Sequence, residues 1–84
     1  MGEEMVGTVS DFFAHQIAAG IELSGTLSVG DHIIIKGHTT DIEMTVNEIQ
    51  IEHKDVQTAN AGDSIGIKVP DRVRKGDHVF KVSA

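Results

Sequence analysis

Hydrophobic residues recur at every second position in several short runs of this chain. In Ile17-Ala18-Ala19-Gly20-Ile21-Glu22-Leu23, the side chains of Ile17, Ala19, Ile21 and Leu23 share one side and Glu22 takes the other, the pattern of a half-buried strand. The same alternation places Ile33 and Ile35 inward within His32 to Lys36, and Ile42, Met44 and Val46 inward within Ile42 to Val46. It returns in Ile65, Ile67 and Val69, and with Met5 to Phe13 and His78 to Val82 it predicts six strands. No window of a dozen residues keeps helical spacing with caps at both ends, so at most a turn of helix is expected. Between Val46 and Ile49 the apolar spacing changes from two to three, which predicts a β-bulge at Asn47-Glu48. Pro70 falls at the end of the fifth run, where a missing N–H donor harms the ladder little.

One phrase occurs three times: Val29-Gly30-Asp31-His32-Ile33, Ala61-Gly62-Asp63-Ser64-Ile65 and Lys75-Gly76-Asp77-His78-Val79. Each time it leads into an inward Ile or Val, which makes it a turn entering a strand. Glycine accepts the positive φ of a tight turn, and the carboxylate is expected to accept backbone N–H groups just beyond it. The three aspartates therefore read as turn formers and not as catalytic or metal-binding carboxylates.

At 84 residues the chain fits one domain, 1–84, whose small core favours a closed sheet with short loops. Cysteine is absent, which excludes disulfides, thiolate metal sites and thiol nucleophiles. No apolar run approaches a membrane span, and Glu3 and Glu4 stand where a secretory leader would be basic, so a cytoplasmic protein without a membrane partner is expected.

The net charge of −6 disfavours indiscriminate attraction to nucleic acid, but the charge is unevenly spread. No basic residue precedes Lys36, whereas the last third holds Lys68, Arg72, Arg74, Lys75 and Lys81. The five histidines form no His-x-His pair and no His-Glu-x-x-His, so no metal site is predicted. His32 and His78 are expected to face outward. No string ending in Gly-Lys-Ser or Gly-Lys-Thr is present, and the chain alone is not expected to bind GTP. No Gly-x-Ser-x-Gly elbow occurs either, so no catalytic residue and no cofactor is assigned and a non-enzyme is expected.

A family resemblance rests on these same strings. Gly20, Gly25 and Leu27 leading to Val29-Gly30-Asp31, Val46 to Ile51, Ala61 to Ile67, and Arg74-Lys75-Gly76-Asp77-His78-Val79 resemble, in that order, the second domain of translational GTPases such as elongation factor Tu and initiation factor two. Ile35 to Asp41 and Ile49 to Lys54 are similar to the short stand-alone proteins called translation elongation factor-like, and to the carboxy-terminal barrel of collagenase-like peptidase-family proteins. The resemblance implies an all-β fold, a small closed six-stranded antiparallel barrel, in agreement with the strand count. Met5 to Gln16 departs from the Gly-rich pattern of the translation factors, and no pocket residue is carried over.

Two roles follow as expectations. The resemblance and the cations Lys68, Arg72, Arg74 and Lys75 imply a binding module contacting tRNA, rRNA or a ribonucleoprotein in translation or RNA modification. The alternative is a protein-interaction module, docking onto a separate enzyme or self-associating. Its clue is Ile34, lying between inward Ile33 and Ile35, together with Phe12 and Phe13, which cannot both enter the core from a regular strand.

Overall fold

The structure is a computed structural model and describes residues 2–83. Ten strands and no helix occur among the described residues: β1 (Gly2–Phe13), β2 (Ala18–Leu23), β3 (Leu27–Ser28), β4 (His32–Lys36), β5 (Asp41–Thr45), β6 (Ile49–Ile51), β7 (Lys54–Val56), β8 (Thr58–Ala59), β9 (Ser64–Lys68) and β10 (His78–Ser83). Eight of them form one antiparallel sheet in the order β5-β4-β10-β1-β2-β9-β6-β7, and β3 pairs with β8 in a separate ribbon.

The predicted alternation explains the core. Val6 and Val9 from β1, Ile21 and Leu23 from β2, Ile33 and Ile35 from β4, Ile65 and Ile67 from β9, and Val79 from β10 all join one buried cluster. Strands far apart in the sheet order share that cluster, so the sheet has to curl around it. Each aliphatic side chain so buried contributes about 1.5–3 kcal/mol. Two register shifts in β1, between Met5 and Gly7 and between Val9 and Asp11, bend the central strand and help the curl.

The curl stops short of the closed six-stranded barrel that the sequence predicts, because the pairing order ends at β5 on one side and β7 on the other. The ribbon spans the interval between these ends. Val29 N donates to Gln57 O at 2.9 Å, Gly30 N to Val46 O at 2.7 Å, and Val46 N to Asp31 O at 2.8 Å. Val46 is thus held by the start of β4, and residues 46–48 connect β5 to β6 instead of forming the predicted bulge within a ladder.

The repeated Gly-Asp phrase builds three equivalent corners. Gly30, Gly62 and Gly76 have φ of 97°, 94° and 96°, and the following Asp31, Asp63 and Asp77 donate their N–H to the carbonyls of Ser28, Asn60 and Arg74. This is the type II turn, with glycine at its third position. The carboxylates point backward, not onward as expected. Each accepts the N–H of the residue three earlier, Ser28, Asn60 or Arg74, at 2.8 Å, so each turn is clasped from both sides.

Ile17 also departs from expectation. It lies in the turn before β2 with φ of 50° and is 49% exposed, because its carbonyl is turned to accept Val69 N at 3.0 Å.

Candidate functional site

β2 and β9 each carry a glycine near the middle of the strand. On each strand the residues flanking the middle, Ala19 and Ile21, Ile65 and Ile67, point into the core, so Gly20 and Gly66 face outward. These two glycines pair across the ladder, and Gln50 of β6 pairs with Gly66 from the other side. Gly20 is buried beneath Ser10, Asp11 and Phe13, so it is the half-buried Gly66 that leaves backbone open at the floor of a groove of about 600 Å³.

The end of β1 and the β6–β7 hairpin form the walls. Phe13, 45% exposed, pairs with Ala18, and its ring edge lies near Gly20, where an added Cβ would sit 3.5 Å from Phe13 Cε2. Asp11, Glu48 and Glu52 supply carboxylates to the lining, against the single ammonium of Lys68 and the imidazole of His53.

Strain gathers at the same place. Ile17, Glu52 and His53 have φ of 50°, 51° and 66°. Glu52 and His53 fill the two-residue turn closed by the Ile51–Lys54 pair, which is the type I′ geometry usually given to Asn-Gly. Glu52 and His53 line the groove, and Ile17 sits between Gln16 and Ala18, which also line it. Left-handed backbone costs a side-chain-bearing residue about 1–2 kcal/mol, and such strain clusters where a binding surface needs a fixed shape.

The four predicted cations do not come together. Lys68 stands in the groove, opposite Ala18. Lys75 lines a smaller depression of about 390 Å³ with Thr8 and Glu22, and the two hollows meet only at Ser10, the residue left over by the β1 register shift. The guanidinium of Arg72 lies over the ring of Phe12, 5.8 Å from its centre, and Arg74 gives its backbone N–H to Asp77.

The three predicted interface residues separate as well. Phe12 packs against the core and Phe13 edges the groove. Ile34 lies on the outer face of β4 in a cross-strand row, Met5–Phe80–Ile34, with Glu43 beyond. Lys36 covers part of that row, with its ammonium 5.5 Å above the Phe80 ring and 3.0 Å from Glu3.

Ser10, Asp11, Ser64 and His53 all line the groove, yet no hydrogen bond links any two of them among the described residues. No group of three or more His, Asp or Glu side chains able to hold a metal ion occurs among the described residues. The sequence reading passed over Gly66, Glu48, Glu52 and His53. A glycine inside each of two alternating strands was the available signal.

This architecture defines a small all-β domain of a known kind. The chain superposes with a TM-score of 0.89, at 16% identity, on the crystal structure of the C-terminal domain of a candidate U32 peptidase of Geobacillus thermoleovorans, covering 95% of this chain and 93% of that one. Sequence relatives point the same way. The chain is 42% identical over 76 residues to an uncharacterized protease of Methanocaldococcus jannaschii, and 36% identical over 78 residues to a collagenase of Porphyromonas gingivalis. These matches take in 89% and 90% of this chain but only 19% and 22% of the relatives, so the chain spans about a fifth of their length. No protein-family model matches it.

The chain is therefore similar in sequence to a segment of a protease and of a collagenase, and it shares the fold of the C-terminal domain of a candidate U32 peptidase. Of the expected resemblance, the part to collagenase-like peptidase-family proteins holds. The translation and elongation-factor assignment is overturned, because the relatives are proteases and collagenases.

Proposed function

We propose that this chain is a non-catalytic binding domain that holds a peptide segment in the groove above Gly20 and Gly66. The observation that carries this reading is Gly66. A Cβ built there meets nothing within 4 Å, and its φ lies outside the left-handed region, so neither crowding nor conformation within the chain calls for glycine. Glycine within a strand weakens it, and one use that offsets this cost is to let another molecule approach the backbone.

The kinship supports a role beside peptidase chemistry. Relatives several times longer contain a homologous segment, which suits a domain that presents polypeptide to a reaction performed elsewhere. Among the described residues, Ser10 and Ser64 of the groove share no hydrogen bond with Asp11 or His53, in keeping with that division of labour.

The collagenase name of the Porphyromonas gingivalis relatives makes gelatin peptides the first probe. Titrated into 15N-labelled protein, they should shift the amides of Phe13, Gly20, Gly66 and Lys68. Unmoved groove amides at millimolar peptide would refute the reading. An RNA oligonucleotide belongs in the same experiment. Salt-sensitive shifts at Lys68, Arg72, Arg74 and Lys75, with none from peptide, would transfer the function to nucleic acid.

A further inference from the structure

We infer that the groove selects an arginine side chain of the bound peptide, laying its planar guanidinium on the open backbone at Gly66 beside Phe13. The inference rests on the peptide-binding reading and adds the chemistry of the residue that is chosen.

The first support is a comparison among the three phenylalanines of the chain. Arg72 lies over Phe12 at 5.8 Å, and Lys36 lies over Phe80 at 5.5 Å. Phe13 is the most exposed large aromatic of the chain, and no cation covers it among the described residues. Its ring borders the groove and is nearly half exposed, so π surface remains open to an incoming cation.

The second support is the shape of the floor. Gly66 is half-buried and carries no side chain, so the backbone of β9 offers a flat patch there on which a planar group can lie. Gly20 is buried at the closed end of the floor, where an added Cβ would come within 3.3 Å of Ser10 Oγ and 3.5 Å of Phe13 Cε2. Gly66 is the open end, with nothing near it. A tetrahedral ammonium gains little from such a surface, whereas a guanidinium can stack on it and still direct its N–H fork sideways.

Charge is the third support. Of the charged groups lining the groove, Asp11, Glu48 and Glu52 are carboxylates and Lys68 alone is a permanent cation. Glu48 and Glu52 form no ion pair among the described residues, and Asp11 spends one oxygen on Phe12 N at 2.9 Å. Carboxylates at the edge of a flat floor are placed to accept a guanidinium fork in its own plane. The strained Glu52-His53 turn fixes one of them at the rim.

Four blocked tripeptides with a central Arg, citrulline, Lys or Glu, each flanked by glycine, test the idea by 15N chemical-shift titration of the full chain. Citrulline keeps the shape of arginine without its charge. The Arg peptide should shift Phe13, Gly20 and Gly66 and bind at least fivefold more tightly than each of the other three. Phe13→Ala and Gly66→Val should each weaken it at least fivefold, with the dispersed spectrum of the folded domain retained. Citrulline or Lys binding as well as Arg, or Glu binding better, overturns arginine selection. If gelatin peptides still shift the groove in that case, the peptide-binding reading survives; if they do not, both fall together.

Discussion

Gly37 and Asp77 meet where β4 ends and β10 begins, and their pairing can be tested by a double-mutant cycle. Asp77 is 5% exposed, and its Oδ2 accepts Arg74 N at 2.8 Å, closing the third Gly-Asp corner. A methyl group built on Gly37 would overlap that carboxylate. The φ of Gly37 is not left-handed, so alanine is conformationally allowed there and the obstacle is the carboxylate alone. Gly37→Ala should push the Asp77 side chain away and break its bond to Arg74 N. A hydrogen bond to a charged group is worth about 1.5–3 kcal/mol, and the lower backbone entropy of unfolded alanine returns about 0.4–1 kcal/mol. A net loss of roughly 1–2 kcal/mol is expected. Asp77→Ala should cost about 1.5–3 kcal/mol by removing the same bond directly. In that background Gly37→Ala loses its obstacle and should change sign, stabilising by about 0.4–1 kcal/mol. The coupling is then about 2 kcal/mol, well above the roughly 0.5 kcal/mol scatter of independent sites. Because the chain has no Trp or Tyr, urea unfolding is best followed by far-ultraviolet circular dichroism. Two single changes whose costs simply add would refute the steric link.

Gly62→Ala has free space but the wrong φ, so it should cost about 1–2 kcal/mol in the same urea assay. Ile21→Ala empties a fully buried position and should lower stability by about 2–5 kcal/mol, read as a fall in urea midpoint. Glu3→Gln breaks an exposed pair with Lys36 and should change stability by less than about 1 kcal/mol, with the effect shrinking further in added salt.

Much of the fold was legible because it rests on strict alternation. The runs around Ile21, Ile33 and Ile65 each place their aliphatic residues in one cluster, as the period of two requires. The repeated Gly-Asp phrase likewise announced its corners, although not the direction of the carboxylates. What escaped were elements too short to show a period. β3 and β8 have two residues each, β6 and β7 three, and Glu52-His53 lacks the glycine that normally signals a tight hairpin. Missing those strands made a closed barrel the natural expectation, since the six that remained had no visible end. The groove was hidden for a different reason. Gly20 was read as one more place in an alternating run, and only the register against Gly66 sets the two glycines side by side.

The ribbon of β3 and β8 has a mechanical meaning for the molecule. Most of the wall is stitched by ladders of three to six pairs, whereas this ribbon, outside the main sheet, rests on two residue pairs and a few flanking bonds. Thermal breathing should begin there, with Leu27 and Ala59 as the buried latch that must lift first. At the end of the sheet, β5 carries exposed Asp41 and Glu43, like charges that would repel a second copy trying to zip onto that edge.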